Sequence, residues 1–207
     1  MSTVGVKGDL TAKIDAGPIA LSGFASSTFL LSAINMNWID KAAFPAVIAS
    51  AWIMGGLVQF VTGIYSMVQG RLFAGVAFTA YGGFWLSFAT YEQFYAKSVP
   101  KPEAGHAIAL FLAPWLIFTL FLLIAALRTN LVLLIGLAML EITIATLVVG
   151  RAKGNADWVK LSGWLGFILA LEIFYLAAAE LINQVFERQV LPLMPLSAPA
   201  KAAPAQH

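Results

Sequence analysis

The sequence contains no cysteine, and its 207 residues include only two histidines, His106 and His207. The absence of cysteine excludes disulfide bonds and thiolate metal sites. Two histidines, one in a polar segment and one at the last position, are too few for a haem or metal centre of a membrane enzyme. The HExxH, P-loop and GxSxG motifs are also absent. We therefore predict that the protein is not an enzyme and uses no cofactor and no metal.

Charged residues are also scarce. They make up 11% of the chain, whereas an average soluble domain has about 25%. Hydrophobic residues make up 60% and the mean hydropathy is +0.86, which excludes a soluble domain of this length. The apolar runs are continuous, and this excludes an outer-membrane barrel with its alternating pattern. The expected environment is a lipid bilayer, and the net charge of +2 gives no indication of a nucleic-acid partner.

Six apolar runs are long enough to cross a membrane, since a spanning helix needs roughly 20 residues. The predicted spans are residues 18–35, 43–68, 72–91, 107–127, 131–149 and 159–182. The predicted fold class is an all-α integral membrane protein with six transmembrane helices per subunit. Residues 1–16 form a polar N-terminal segment, residues 17–188 the transmembrane domain, and residues 189–207 a Pro/Ala-rich tail that we expect to be disordered.

The loops leave the orientation of the spans open. The longest predicted loop covers residues 97–106, and another polar loop covers residues 151–155. Short loops predict antiparallel neighbours, so both termini lie on one side. Lysine and arginine divide evenly between the two sides, and the positive-inside rule therefore gives no preference.

Three runs carry faces that combine polar and aromatic side chains. These faces hold Phe24, Ser27, Thr28, Leu31 and Asn35 on the first run, Trp52, Gly55, Gln59, Thr62, Gly63 and Ser66 on the second, and Ala77, Tyr81, Trp85 and Phe88 on the third. A glutamine amide is costly in hydrocarbon unless it is paired. The faces either line a narrow path or serve hydrogen bonding and aromatic packing between helices, and the pattern leaves both interpretations open.

Three glutamates lie within the apolar runs: Glu141 in the fifth run, and Glu172 and Glu180 in the sixth. An ionisable residue in a span is a candidate functional residue. No lysine or arginine lies deep in a run to pair with Glu141 or Glu172. These acids therefore either relay protons or serve as neutral carboxylic acids that bond to a neighbouring helix or subunit.

Three segments resemble the motifs of a known family. Residues 15–21, Asp-Ala-Gly-Pro-Ile-Ala-Leu, are a degenerate form of Asn-Pro-Ala-Pro-Leu-Gly-Leu, and residues 77–86 are close to Phe-Thr-Ser-Tyr-Gly-Ser-Phe-Trp-Leu. The pattern in and after the sixth run continues with Gly163, Trp164, Gly166, Glu180, Asn183, Arg188 and Pro192. On these motifs the chain resembles the acetate uptake transporters, the family of the bacterial succinate–acetate permease, over about residues 15–192.

The resemblance implies six transmembrane helices per subunit, a homohexamer, and a plasma (inner) membrane location with both termini cytoplasmic. It also implies a path in each subunit for acetate, and often succinate, that is channel-like in some members and proton-coupled in others. The hydrophobic constriction of the family corresponds here to Phe24, Tyr81 and Leu140. The glutamine of the second helix corresponds to Gln59.

We expect the carboxylate to enter a polar vestibule near Thr28, Asn35 and Gln59 before it crosses the constriction. Trp85 and Asn155 are further candidate substrate contacts.

Three acidic residues depart from the family pattern: Asp15, Glu141 and Glu172. Asp15 stands where the motif has Asn, and we expect it to add negative charge at the mouth. Glu141 lies about 100° around the helix from Leu140, so it is expected to point away from the path.

Two other functions remain open. One is a hexameric channel for a neutral solute such as urea, because the sequence reveals no cation within the path. The other is a membrane sensor or assembly subunit that transports nothing. The resemblance favours acetate.

Overall fold

The computed structural model describes residues 15–196. The α-helices of this range are α1 (Gly17–Asn35), α2 (Phe44–Trp52), α3 (Gln59–Val68), α4 (Leu72–Thr90), α5 (Ala104–Ala126), α6 (Leu131–Ala152) and α7 (Ala156–Val185). Shorter helical turns extend these helices at their ends: Lys41–Ala43 precedes α2, and Lys101–Glu103 precedes α5. The π-helical segment Ile53–Val58 joins α2 to α3. A second π-helical segment, Tyr91–Tyr95, follows α4 and continues into the turn Ala96–Ser98. Together they form six apolar helices long enough to span a membrane, which confirms the predicted fold class.

The helices extend further into the predicted loops than the hydropathy pattern indicated. The fourth span already begins at Lys101, and the fifth continues to Ala152. The predicted polar loop at residues 151–155 is therefore wrong for Arg151, which lies in the last turn of α6. Hydropathy marks where apolar side chains end, whereas a helix ends where its backbone hydrogen bonds end.

Helix α1 lies at the centre of the bundle, between α7 on one side and α2, α3 and their π-helical joint on the other. In its most apolar window 67% of the residues are buried, against 22% to 44% in the other five spans. Glycines permit this close packing. A Cβ atom added at Gly23 would lie 2.2 Å from the carbonyl oxygen of Met54, and one added at Gly163 of α7 would lie 2.3 Å from the amide nitrogen of Met36.

Large apolar side chains cover the outer surface of the helices. Val68 is 82% exposed, Leu110 75% and Ile117 71%. Apolar surface of this extent is typical of a protein that faces lipid or another subunit.

Residues 189–196, the first part of the predicted tail, pack back onto the helix ends. The amide nitrogens of Val190 and Leu191 donate to the Asn183 side-chain oxygen at 2.7 and 2.8 Å. The backbone of Leu196 donates to Thr129 at 2.9 Å, next to a bridge between Asn130 and Pro195. Pro/Ala-rich composition indicates disorder only when the segment lacks such partners. The rest of the tail, residues 197–207, and most of the N-terminal segment lie outside the described residues.

Candidate transport path

Two cavities approach each other inside the bundle. We call the first the aromatic cavity. It has a volume of about 90 Å³, and its walls include Thr28, Asn35, Phe84, Trp85, Phe88, Phe111 and Arg151. We call the second the wide cavity. It has a volume of about 430 Å³, and its walls include Gln59, Arg71, Leu133, Leu137 and Glu180. Both are several times larger than the roughly 10–15 Å³ that one water molecule requires.

Phe24, Tyr81 and Leu140 line both cavities and therefore form the partition between them. They come from α1, α4 and α6, and each side chain is less than 10% exposed. The rings of Phe24 and Tyr81 are tilted against each other with their centroids 5.6 Å apart. The Tyr81 hydroxyl lies 3.0 Å from the hydroxyl of Thr119 on α5 and forms a hydrogen bond with it. The partition is therefore mainly apolar toward both cavities.

A third cavity, the mouth vestibule, adjoins the aromatic cavity at the surface. It has a volume of about 610 Å³, and its walls include Asn35, Lys41, Phe44, Glu92, Arg151 and Asn155. Four residues line both it and the aromatic cavity: Asn35, Phe44, Glu92 and Arg151. The mouth vestibule, the aromatic cavity and the wide cavity therefore follow one another through the bundle.

The expected single vestibule near Thr28, Asn35 and Gln59 is wrong. Thr28 and Asn35 line the aromatic cavity, whereas Gln59 lines the wide cavity on the other side of the partition. The periodicity of a helix gives the direction of a side chain around the axis, but it does not match depths between helices.

The polar candidates differ in whether they are available to a solute. The Thr28 hydroxyl, the Trp85 indole nitrogen and the Gln59 side-chain oxygen are buried and have no hydrogen-bond partner within residues 15–196. The Asn155 side-chain oxygen, by contrast, accepts from the amides of Asp157 and Trp158 at 2.9 and 3.2 Å and caps the start of α7. The oxygen of Asn155 thus stabilises the start of a helix at the mouth, and its amide nitrogen, the group that would donate to a carboxylate, takes no part in this cap.

Arg151 is a residue of the candidate path that is absent from the sequence-predicted site residues. Its guanidinium lines the aromatic cavity and the mouth vestibule, and Nη2 donates to the Asn35 side-chain oxygen at 3.2 Å. The candidate path therefore contains a cation that the sequence alone does not reveal. The sequence signal for it is the helix-compatible stretch around Arg151, but polar residues of this kind equally fit a loop.

Arg71, also absent from the sequence-predicted site residues, lies at the other end, in the turn before α4, and lines the wide cavity. It forms a two-point ion pair with Asp15, in which Nη2 lies 2.7 Å from Oδ2. Burial raises the pKa of Asp15, but hydrogen bonds from Arg71 and from the Gly17 amide outweigh it and hold this pKa below its usual value. Hydrogen bonding to Asp15 raises the pKa of Arg71, against the effect of burial. The expected excess of negative charge from Asp15 is therefore compensated by Arg71.

The three glutamates of the spans lie in different places. Glu180 lines the wide cavity. Glu141 and Glu172 line neither the wide nor the aromatic cavity. Both carboxylate oxygens of Glu172 are buried against α6 and have no hydrogen-bond partner among the described residues, and a Cβ atom added at Gly136 would lie 2.5 Å from one of them. The structure thus brings only Glu180 of these three to the two inner cavities.

Comparison with known proteins agrees with this architecture. Residues 6–198 match the profile of the GPR1/FUN34/yaaH family over most of the chain. The chain belongs to this family. Within it, the succinate-acetate/proton symporter SatP of Escherichia coli (strain K12) is 30% identical over 183 residues, which cover 88% of this chain and 96% of that protein.

Other relatives extend the comparison. Acetate permease A of Emericella nidulans is 32% identical over 191 residues and covers 85% of this chain and 64% of its own length. A solved structure of the bacterial acetate channel SatP matches with a TM-score of 0.81 at 30% identity, over 87% of this chain and 98% of that one. The resemblance found in the sequence is confirmed. These GPR1/FUN34/yaaH proteins are named as transport proteins, and the present member is an integral membrane protein and not an enzyme.

Proposed function

We propose that the protein carries acetate and related small carboxylates across the membrane through each subunit. The observation that supports this most directly is the series of cavities that meet at Phe24, Tyr81 and Leu140. The names of the relatives, an acetate channel, an acetate permease and a succinate-acetate symporter, supply the substrate class. Succinate is the second substrate of the proposal.

The charges along the path favour a carboxylate over a neutral solute such as urea. Arg151 lies on the mouth side of the partition and belongs to no ion pair of residues 15–196, whereas Arg71 on the wide-cavity side already pairs with Asp15. A guanidinium attracts a carboxylate and binds it through paired hydrogen bonds. A neutral solute gains much less from the Arg151 cation, so urea becomes the control solute.

The partition imposes the main energetic barrier. A carboxylate without its water is costly in apolar surroundings unless it is paired. The anion therefore either keeps hydrogen bonds to groups such as the Trp85 indole or crosses as the neutral acid. Crossing as the neutral acid couples transport to protons without a dedicated proton-binding residue. If a side chain carries the proton instead, Glu180, which lines the wide cavity, is the candidate.

Flux measurements in proteoliposomes test the proposal. Labelled acetate uptake is measured with and without an inward proton gradient, next to protein-free liposomes and a parallel series with labelled urea. We expect acetate uptake that depends on the protein and exceeds urea uptake. If acetate inside the liposomes rises above the outside concentration only when the proton gradient is present, the protein is a symporter. If acetate only equilibrates across the membrane, the protein is a channel. Protein-dependent flux of urea without acetate flux contradicts the proposal.

We propose further that six subunits form a ring in the plasma (inner) membrane with both termini cytoplasmic. The resemblance to the acetate uptake transporters and the broad apolar outer surface support this. Native mass spectrometry is expected to give six times the subunit mass of 22.2 kDa. A monomer that transports acetate at the full rate contradicts the ring as the functional unit.

A further inference from the structure

Arg151 is a half-buried cation whose hydrogen bonding is incomplete within residues 15–196. Nη2 donates to Asn35, but Nε is buried and has no hydrogen-bond partner there. The ion pairs of this part of the chain, Arg71 with Asp15 and His106 with Glu103, do not include Arg151. A buried charged donor without a partner is costly, so the arrangement suits a group that accepts hydrogen bonds and carries negative charge.

Arg151 occupies the junction between the mouth vestibule and the aromatic cavity. A solute that enters from the mouth meets the guanidinium before it reaches the rings. Beyond this point the walls are mostly aromatic: Phe84, Trp85, Phe88 and Phe111. A short carboxylate fits this polarity, because its charged head contacts Arg151 while its apolar tail contacts the rings.

Glu92 faces the same junction from another helix. It belongs to the π-helical segment that follows α4, and it lines both the aromatic cavity and the mouth vestibule. It attracts Arg151 electrostatically without forming a direct ion pair with it. When Arg151 holds one carboxylate of a solute, the rest of that solute therefore lies near the negative side chain of Glu92.

We propose that Arg151 and Asn35 form a carboxylate-binding site at the entrance to the aromatic cavity, and that Glu92 makes this site select monocarboxylates over dicarboxylates. The proposal rests on the proposed function, since it describes how the same path recognises its solute. Arginine binds one carboxylate through paired, charge-assisted hydrogen bonds. A second carboxylate on the same solute is repelled by Glu92, and this lowers affinity for a doubly ionised solute such as succinate.

The test compares half-saturation concentrations for labelled acetate and labelled succinate in proteoliposomes, at a pH where succinate is doubly ionised. Arg151→Gln is expected to raise the value for acetate about tenfold, which corresponds to about 1.4 kcal/mol. Arg151→Lys keeps the charge and is expected to recover part of this loss. Glu92→Gln is expected to lower the value for succinate severalfold and to change that for acetate much less.

Two exposed residues at the same end of the bundle serve as controls. Lys153→Gln and Glu103→Gln remove the same charges, but neither residue lines the mouth vestibule or the aromatic cavity. Both controls are expected to keep wild-type values. An Arg151→Gln protein with the wild-type half-saturation for acetate overturns the binding site. A Glu92→Gln protein with an unchanged ratio of acetate to succinate overturns the selection.

Calorimetry on the purified, detergent-solubilised protein separates this proposal from the proposed function. Acetate is expected to bind to the wild type and to Lys153→Gln but about tenfold more weakly to Arg151→Gln. Binding of this kind without flux means that the transport function fails while the site stands. Acetate flux without any difference in binding or half-saturation between wild type and Arg151→Gln means that the binding site fails while the transport function stands. Thermal melting of each variant verifies that it is folded.

Discussion

Three side chains from three helices, Phe24, Tyr81 and Leu140, separate the two inner cavities. None of them forms the partition alone, and Tyr81 is fixed by its hydrogen bond to Thr119. Phe24 contacts the rings of both Tyr81 and Trp85, so its size sets how closely the partition closes. In an apolar constriction of this kind the width controls both the rate of permeation and the size of the solute.

We therefore expect Phe24→Ala to increase acetate flux about twofold or more and to admit larger monocarboxylates. Removal of a buried phenyl ring also lowers stability, by about 3–5 kcal/mol, so Phe24→Leu is measured as a milder variant. Phe29→Ala is the matched control. Phe29 lies on the same helix but packs on Trp38 and Phe167, away from the cavities. Equal flux and selectivity in wild type and Phe24→Ala would contradict the role of Phe24 in the partition.

The ion pair between Asp15 and Arg71 makes the stability of the fold depend on pH. Since the pKa of folded Asp15 lies below its usual value, the pair stabilises the fold above the ordinary pKa of about 3.9. This contribution disappears as the pH falls through the folded-state value. Asp15→Asn is expected to lower stability at neutral pH by about 1 kcal/mol, a figure reduced because the pair is partly exposed.

Thermal melts of wild type and Asp15→Asn, followed by circular dichroism over a pH series, measure this effect. The two melting temperatures should differ at neutral pH and converge in acid. Asp157→Asn, at an exposed carboxylate near the start of α7, is the control. If the difference in melting temperature between wild type and Asp15→Asn stays constant down to the lowest pH, the charge of Asp15 does not contribute to stability.

At the scale of the elements, α1 depends on glycine where it crosses the π-helical joint between α2 and α3. Gly23→Ala places a Cβ atom 2.2 Å from a backbone carbonyl oxygen that has no side-chain freedom. We expect a loss of about 1–3 kcal/mol, typical of overpacking. Gly83→Ala on α4 meets no atom within 4 Å and is expected to be neutral or to stabilise by about 0.5–1 kcal/mol.

Melting temperatures in detergent test this pair of substitutions, and they need no transport assay. Because both replace a helical glycine by alanine, the change in helix propensity is the same and the difference isolates the contact with Met54. If Gly23→Ala melts at or above the temperature of Gly83→Ala, the close approach of α1 to the joint does not limit stability.

The sequence predicts the elements more completely than their ends. Six spans follow from run length and hydropathy, which are local properties of the chain. The position of Arg151 does not follow, because a polar residue in the last turn of a helix looks like a loop residue. The order of Thr28, the partition residues and Gln59 along the path also cannot be predicted from one helix, since it depends on how α1, α3 and α4 pack. Helical periodicity places Phe24 and Tyr81 on their polar and aromatic faces, whereas Leu140 follows only from the family pattern.

At the scale of the whole molecule, the proposed path has two chemically different ends. One end carries the mouth vestibule with Arg151, Asn35 and Glu92, and the other carries Arg71 with Asp15 and Glu180 beside the wide cavity. The start of α1 and the end of α7 both lie at the Arg71 end. If the termini are cytoplasmic, as we propose, a carboxylate outside the cell enters through the mouth vestibule and meets Arg151 first.

Cysteine labelling decides this orientation, and the natural chain offers a clean background because it contains no cysteine. Lys101→Cys places a thiol at an exposed position at the mouth end, and Gln184→Cys places one at an exposed position near the end of α7. In intact cells a membrane-impermeant maleimide is expected to label Lys101→Cys and to leave Gln184→Cys unlabelled until the membrane is permeabilised. The opposite pattern would place the wide cavity outside, and Arg71 rather than Arg151 would then be the first cation that an incoming carboxylate meets.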